Sequence, residues 1–341
     1  MNIREEIEEI ESKYLHIRAC KNSDSQGRLK YEEKEDIRPP FQRDRDRIIH
    51  SKSFRRLKHK TQVFISPTGD HYRTRLTHTL EVSQIGRTIA MALKLNESLT
   101  EAIALGHDIG HTPFGHFGED VLNQLSKSGF KHYLHSLRVI DKLENEGKGL
   151  NLTLEVRDGI VKHSKGFGDI FKESNMSKTL EGQIIRYSDI VAYVNHDLDD
   201  AIRAGMIKSE EIPSHLTKVL GKTKRERINT MVRDLIFTTK KNDYDYIRMS
   251  DDIYSATIEL RDFLIKRVYR EEEHSAEKSK IFKILKELYE YLLANPKEYI
   301  EKFPEDDSLE KRVIDFIAGM TDRYALNLYK KLFIPEPWAK I

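Results

Sequence analysis

Residues 75–120 read RLTHTLEVSQIGRTIAMALKLNESLTEAIALGHDIGHTPFGHFGED, and this stretch decides the fold. The chain has 14 histidines, and seven of them fall between His71 and His135. Neutral imidazoles gathered with carboxylates suit a divalent metal of intermediate hardness. The alternative, ordinary polar side chains on solvated faces, has to treat this density as a coincidence. The stretch therefore predicts a metal site.

Apolar spacing predicts two helices in the first part of this stretch. Residues at helical period predict a helix over 76–95, with His78 in its first turns. A second helix is predicted to end at Asp108, with Ser98 or Thr100 as its N-cap. His78 and the second helix would then bring candidate ligands from two separate elements.

The pair His107–Asp108 lies at the predicted end of the second helix. Consecutive residues are about 100° apart around a helix axis, so both side chains reach one ion most easily where a helix ends. Gly110 and Pro113 supply such a break. The sequence thus predicts a helix end that carries two ligands.

A third helix is predicted from Phe114 or Gly115 onward. His116 and Glu119 are three residues apart in it and therefore share a face. A carboxylate in that position can orient an imidazole. His132 and His135 follow on a helix that is predicted to run to about residue 143.

A second informative stretch reads LEGQIIRYSDIVAYVNHDLDDAIRAGMI and spans residues 180–207. Its apolar residues predict a buried helix, on which Asp189, Tyr193 and Asp197 recur at i, i+4 and i+8. A carboxylate turned inward without a partner costs several kcal/mol of desolvation. A metal at Asp189 would offset that cost, whereas the alternative is a solvated face.

Composition narrows the class of protein. The chain has 341 residues, with Lys plus Arg at 58 and Asp plus Glu at 56, so charge gives no argument for nucleic acid or an anionic membrane. Its one cysteine, Cys20, excludes an internal disulfide framework and a thiolate metal cage. The charged N-terminus has no signal-peptide pattern, and no apolar run reaches the roughly 20 residues of a membrane span. We expect a soluble cytoplasmic protein.

The remaining chain favours an all-α fold. Residues 1–14 predict an amphipathic helix, and residues 21–40 an irregular segment. The polar stretch 208–252 includes a charge run at 222–227 that is predicted to face solvent. Three further helical patterns, at 253–269, 280–294 and 308–332, complete the C-terminal part.

Residues 41–64 are rich in arginine and lysine, interleaved with apolar side chains. They are either a solvated basic helix or a cationic wall for a polyanion, because arginine binds phosphate oxygens through two parallel hydrogen bonds. Spacing alone leaves both readings open.

Four side chains are candidate metal ligands: His78, His107, Asp108 and Asp189. Two nitrogen and two oxygen ligands leave positions open on Mn²⁺, Mg²⁺, Fe²⁺, Ni²⁺ or Zn²⁺. Such a site acts as a Lewis acid on a phosphoryl oxygen and lowers the pKa of bound water. His116 and Glu119 then form a candidate acid/base pair.

The order H…HD…D resembles the HD-domain metal-dependent phosphohydrolases. Several blocks are more closely similar to their deoxynucleoside triphosphate triphosphohydrolase (dGTPase-like) branch. In chain order these blocks are RDRDRIIHSKSFRRLKHKTQVF (43–64), RTRLTHTLEV (73–82), LGHDIGHTPFGHFGE (105–119), SDIVAYVNHDLDDA (188–201) and AGMTDRYA (318–325). The resemblance covers most of the chain.

The resemblance implies a helical HD-domain fold with additional C-terminal helices. It divides the chain into an N-terminal helix and irregular segment at 1–42, a catalytic core at 43–205 and a helical part at 206–341. It implies hydrolysis of dGTP or another dNTP to a deoxynucleoside and triphosphate, by attack at the α-phosphorus. A homo-oligomer is also implied, and a dNTP activator is left open.

The resemblance also assigns residues. Carried over by motif, the four candidate ligands hold the metal, and His116 with Glu119 form the catalytic pair. The implied substrate contacts are Gln62 to the sugar 3′-hydroxyl, Arg75, His111 and His132 to phosphate, and Tyr193 and Asp197 to the deoxyribose. His135 competes with His132 in the alignment, and His163 receives no role.

Two other functions are alternatives. One is a different HD-type nucleotide phosphohydrolase that releases a single phosphate. The other is a non-catalytic protein that binds nucleotides or single-stranded nucleic acid. The His116/Glu119 pair disfavours the second, because a binder needs no proton-transfer group.

Overall fold

A computed structural model describes residues 1–62, 73–164, 175–269, 275–301, 303 and 307–335 of the chain. Residues 63–72, which include His71 and the last two residues of the basic stretch, Val63 and Phe64, lie outside the described residues.

The described residues form helices and no β-strand, with two isolated bridges, Arg28 with Thr153 and Thr61 with Thr74. In chain order the α-helices are α1 (Ile3–Tyr14), α2 (Pro40–Ile49), α3 (Lys52–Arg56), α4 (Arg75–Leu93), α5 (Glu97–Gly106), α6 (Gly115–Leu125), α7 (His132–Arg138), α8 (Leu154–Lys162), α9 (Leu180–Arg203), α10 (Ser214–Leu220), α11 (Lys224–Lys241), α12 (Asp251–Leu264), α13 (Ser275–Ala294), α14 (Pro296–Tyr299), α15 (Leu309–Ala318) and α16 (Asp322–Phe333). Short π-helical turns follow α7 and α12, at Val139–Leu143 and Ile265–Tyr269. The all-α prediction is confirmed.

The chain divides into two compact units. Unit 1 comprises Met1–His50, Thr77–His107 and Leu150–Glu272. Its central helix is α9, which contacts α5, α8, α11 and α12. Most of α9 is buried, including the apolar side chains Ile184, Ile185, Val191, Val194 and Leu198. Helix α9 begins at a Thr179 N-cap, whose side chain accepts a hydrogen bond from the Gly182 amide.

Unit 2 comprises Ser51–Leu76, Asp108–Gly149 and Glu273–Ile341. Helix α13 packs against α6, α15 and α16. These helices share an apolar core that includes Phe114, Leu122, Leu285, Leu292 and Ile317. Helix α6 is therefore supported mainly by helices from the C-terminal part of the chain.

The second predicted helix begins earlier and ends earlier than expected. Asn96, rather than Ser98 or Thr100, is its N-cap, and the Asn96 side chain accepts from the Leu99 amide at 3.2 Å. Asparagine is among the strongest N-cap residues. The helix ends at Gly106, so that His107 occupies the C-cap position.

Two C-terminal predictions need correction. The polar stretch 208–252 contains α10 and α11, and the start of α11 is fixed by a capping box between Thr223 and Glu226. The charge run does not simply face solvent, since Arg227 is buried and donates to Asn195 Oδ1 at 2.9 Å. The helix predicted at 308–332 is two helices, α15 and α16, with the Thr321 side chain as N-cap of the second.

None of the described helices has both the length and the apolar composition that a bilayer crossing requires.

A carboxylate lies at the start of α9 without exposure to solvent. Glu181 Oε1 accepts from the backbone amides of Cys20 and Asn96, each at 3.0 Å, and so joins three segments of unit 1. Burial raises the pKa of Glu181 from 4.5 to about 7, against the lowering effect of these hydrogen bonds. The protonated form is thus the favoured one below neutral pH.

We predict that this carboxyl makes folding stability depend on pH. Because the folded-state pKa lies above the unfolded value, the stabilisation is fully present below pH 4.5 and is lost as pH rises through about 7. Glu181→Gln should remove this loss. The free energy of unfolding of the variant, relative to that of the parent, should therefore rise by about 2–3 kcal/mol between pH 5 and pH 8. Urea unfolding at both pH values measures it. The exposed Glu6→Gln in α1 is the control, and an equal pH response of both variants would contradict the prediction.

Candidate functional site

Three predicted metal ligands come together in unit 1. His78 lies on α4, His107 at the C-cap of α5 and Asp189 on α9. One ligand atom of each lies within 4.8 Å of the others. His78 Nε2 is 3.1 Å from Asp189 Oδ1, and the His78 and His107 ring centroids are 5.7 Å apart. Two consecutive helices and a third, more than 70 residues further along the chain, thus bring two imidazoles and a carboxylate close together.

The His107 ring is oriented by its own helix. His107 Nδ1 lies 2.6 Å from the carbonyl oxygen of Ala104, which requires the proton on Nδ1 and leaves the lone pair on Nε2. Metal-ligating histidines are commonly held by such a contact. His163 makes the equivalent contact with Ile160, and its ring lies 4.9 Å from that of His107. No role was predicted for His163, and the structure places its ring beside that of a candidate ligand.

Electrostatics keep Asp189 ionised. Burial alone raises the pKa of this carboxyl, but the hydrogen bond from His78 and the neighbouring His107 and His163 rings outweigh burial and lower it below its usual range. An ionised carboxylate with two imidazoles is a donor set that divalent first-row metals accept. These residues therefore fit a divalent metal.

Helix α9 carries Tyr193 and Asp197 in the turns that follow Asp189. Asp197 is buried, and burial together with the Asp189 charge raises the pKa of Tyr193. Arg261 of α12 acts in the opposite direction on Tyr193, and this arginine is itself buried. Arg261 was not predicted, because its position in a mixed amphipathic helix carries no motif.

In unit 2, Asp108 forms a buried ion pair with Arg75. Arg75 Nη1 donates to Asp108 Oδ2 at 2.6 Å, and His111 Nε2 lies 3.9 Å from Asp108 Oδ1. Gln62 is half-buried, and its Oε1 has no hydrogen-bond partner among the described residues. The predicted phosphate and sugar contacts Arg75, His111 and Gln62 thus belong to the same unit.

His111 and His132 stack, with ring centroids 4.3 Å apart and planes at 16°. Ligand atoms of Asp108, His111 and His132 lie within 4.8 Å of one another. Stacked rings, however, direct their in-plane lone pairs side by side rather than toward one ion. Burial and the Arg75 charge lower the pKa of His111, which favours a neutral ring. This arrangement suits hydrogen bonding to a ligand better than metal coordination.

Glu119 contacts two histidines. It accepts from the His132 amide and from His132 Nδ1, each at 2.9 Å, while His116 Nδ1 is 3.7 Å away. Burial raises its pKa, but His132 and His116 outweigh that effect and lower it far below the usual range. The His116 side chain is 66% exposed and that of Glu119 only 11%. An ionised, buried Glu119 therefore lies behind an accessible imidazole.

His135, the competitor of His132 in the sequence, has a different environment. Its Nδ1 donates to the Gly110 carbonyl oxygen at 2.9 Å, and its Nε2 lies 3.3 Å from Asp315 Oδ1. A Cβ atom at Gly110 would lie 2.1 Å from the backbone nitrogen of Ser136, so α7 approaches the loop after His107 too closely for any side chain. His135 ties α7 to that loop, whereas His132 faces Glu119 and His111.

Two family models match the chain. The HD domain matches residues 75–194, and the phosphohydrolase-associated domain matches residues 247–331. The first range contains the three candidate ligands of unit 1 as well as Asp108, His116 and Glu119.

The chain is similar over nearly its full length to proteins named deoxyguanosinetriphosphate triphosphohydrolase-like protein. The relative from Caldanaerobacter subterraneus subsp. tengcongensis is 54% identical over 99% of this chain and 98% of its own. Those from Desulfatibacillum aliphaticivorans and Clostridium tetani are 52% and 48% identical, over 99% and 98% of this chain and 99% and 97% of theirs. The chain therefore belongs to the HD-domain phosphohydrolases, in the family of deoxyguanosinetriphosphate triphosphohydrolase-like proteins.

Proposed function

We propose that the protein hydrolyses a deoxynucleoside triphosphate to a deoxynucleoside and triphosphate, with a divalent metal held by His78, His107, Asp108 and Asp189. The observation that carries the proposal is the approach of three of these ligands, from three helices, to within 4.8 Å. Asp108 follows His107 directly, so its Cα lies about 3.8 Å from that of a ligand. The names of the relatives, which specify dGTP, support the substrate class.

A divalent ion at such a site supplies Lewis-acid polarisation of a phosphoryl oxygen. The other groups bind and orient the substrate. Arg75, held by Asp108, and the stacked His111 and His132 offer donors for phosphate oxygens. The neutral state favoured for His111 suits a hydrogen-bonding role within a crowded cationic environment.

Proton transfer falls to His116. Attack of water at the α-phosphorus breaks the bond to the deoxyribose 5′-oxygen, so water loses a proton and the leaving oxygen gains one. His116 is exposed enough to meet either oxygen, and ionised Glu119, whose Oε2 lies 3.7 Å from His116 Nδ1, would offset the positive charge that the ring gains on accepting a proton. Glu119 also holds His132, which couples the proton-transfer group to a phosphate contact.

Sugar recognition falls to Tyr193, Asp197 and Gln62. The Tyr193 ring would occupy the space beside the sugar 2′-carbon, which excludes a ribose 2′-hydroxyl. Asp197 would hydrogen-bond the sugar, and the Gln62 amide would read the 3′-hydroxyl.

The decisive experiment is incubation with the four dNTPs, singly and mixed, with Mn²⁺ or Mg²⁺ and chromatographic identification of products. Triphosphate supports the proposal, whereas orthophosphate supports the other HD-type phosphohydrolase. Absence of turnover, with DNA binding that falls steeply with salt, supports the non-catalytic binder. The mixed arm also tests the dNTP activator, and sedimentation of the same sample tests the homo-oligomer.

We predict that Asp189→Ala abolishes metal-dependent dNTP hydrolysis, because it removes one of the ligands and the anion that compensates His78. Metal content by mass spectrometry and turnover should fall together. Asp199→Ala on the same helix is the matched control, since Asp199 is partly exposed and pairs with Lys224 at 3.3 Å. Full activity of Asp189→Ala in metal-depleted buffer would reject the site.

We predict that His116→Ala lowers kcat by roughly 10²–10⁴-fold, the usual contribution of a positioned acid or base. Metal content and dNTP affinity should be retained, because His116 lies outside the ligand set. His215→Ala, which removes a surface histidine paired with Glu259, is the control. Unchanged kcat would reassign proton transfer, with His132 as the next candidate.

We predict that Tyr193→Ala narrows the preference for dNTP over rNTP by about tenfold or more, because the ring that excludes the 2′-hydroxyl is gone. Tyr193→Phe keeps the ring and should keep the preference. The ratio of kcat/KM for dGTP and GTP measures both. Equal ratios in the parent and the alanine variant would contradict the steric role.

A further inference from the structure

One buried carboxylate of unit 2 joins three segments that are far apart in sequence. Asp322, the first residue of α16, accepts at Oδ2 from the Thr61 amide at 3.0 Å and from the Thr61 hydroxyl, and at Oδ1 from the Phe114 amide at 2.9 Å. Thr61 and Phe114 are 261 and 208 residues away in the sequence. Asp322 is 2% exposed, so these donors replace its hydration.

The Phe114 amide belongs to a strained position. Phe114 has φ 62°, in the left-handed region, and it is the N-cap residue of α6 without a side-chain cap. A bulky residue in that region is strained and persists only where its surroundings hold it in place. The hydrogen bond to Asp322 and the burial of the Phe114 ring supply that hold. The direction in which α6 leaves the loop, and with it His116 and Glu119, follows from this conformation.

The other end of the same loop is held from the same side. Lys60 Nζ donates to the carbonyl oxygens of His111 and Ala318, the latter at 2.9 Å. Ala318 ends α15, four residues before Asp322. Lys60 thus fastens the start of the loop 111–114 and Asp322 its end, and both contacts use the AGMTDRYA block, which the proposed mechanism does not otherwise employ.

We infer that Asp322 is a positioning residue, which holds Gln62 and the start of α6 in the arrangement that hydrolysis needs. The inference rests on the proposed function, in which Gln62 reads the 3′-hydroxyl and His116 transfers the proton. Gln62 follows Thr61 directly, so the position of Gln62 and the position of the start of α6 both depend on the Asp322 carboxylate. The two carboxylate oxygens can accept all three donors, whereas an asparagine amide would place its NH₂ group against one of the two backbone N–H groups.

A purely structural alternative exists. An aspartate in the first turn of a helix stabilises that helix through its dipole, whatever else it touches. Asp251 occupies the equivalent first position of α12 and is exposed, so Asp251→Asn is a matched control that removes the same charge from the same helix position.

The test is Asp322→Asn in the full chain. We expect kcat for dNTP hydrolysis to fall at least tenfold with metal content retained, since small misplacement of reacting groups has large effects on rate. We also expect the preference for dNTP over 2′,3′-dideoxynucleotide, measured as a ratio of kcat/KM, to fall, because Gln62 moves. A helix-dipole role would change thermal stability alone. Thr61→Val, which removes only the hydroxyl donor, should change the same ratio in the same direction and carries the test if Asp322→Asn does not fold.

Amide hydrogen exchange provides a readout that needs no turnover. Asp322→Asn should speed exchange at residues 61–62 and 111–117, and Asp251→Asn should not. Unchanged exchange there, or unchanged kcat and unchanged preference in a folded, metal-loaded variant, overturns the inference. If the parent makes no triphosphate from any dNTP, the proposed function fails, and exchange alone decides whether Asp322 holds the loop.

Discussion

Three carboxylates of the candidate site each lie against a donor, and the rest of the arrangement depends on this compensation. Asp189 has His78, Asp108 has Arg75, and Glu119 has His132. An ionised carboxylate without such a donor loses several kcal/mol of hydration on burial. Within each pair, the two segments must therefore pack so that donor and carboxylate meet, which is an electrostatic requirement in addition to apolar packing.

The neighbours of the titratable groups in the candidate site also favour different charge states for different groups. The pKa of Glu119 lies far below its usual range and that of His111 also lies below its own, so one stays anionic and the other neutral. Groups whose environments drive their pKa values apart can serve as distinct acids, bases and hydrogen-bond donors at one pH. His116, largely exposed, is the member of the set that remains accessible to solvent and to a substrate.

Sequence periodicity predicted the elements whose apolar stripe is continuous. Helix α9 was predicted correctly because aliphatic residues recur along its buried face from Leu180 to Ala201. Helix α11 was missed, since its buried positions Arg227, Met231, Leu235 and Thr239 begin and end with polar residues. The buried Arg227 donates to Asn195 on another helix, and a local pattern does not contain this partner. Tertiary partners decided the burial of this helix, not its composition.

The residues of the candidate site likewise fall into those that the sequence predicted and those that only tertiary contacts reveal. Motif order identified His78, His107 and Asp189, and the structure brings these three together. Spacing could not assign Asp322 or Arg261, whose contacts lie on distant segments. It also could not separate His132 from His135, which are one helical turn apart. Only the three-dimensional neighbours, Glu119 for one and Gly110 for the other, distinguish them.

Gly110 shows that a glycine in a motif can be required by close packing and not by backbone conformation. Its place after His107–Asp108 suggested a break that turns the chain, yet its backbone lacks the positive φ that marks such turns here, for example at Gly115. The glycine is needed because α7 leaves no space above it. The side chain of any other amino acid at position 110 would push α7 away from the loop. In a saturation library, substitutions at this position would therefore displace His132 and His135 on α7 and would leave the loop itself less affected.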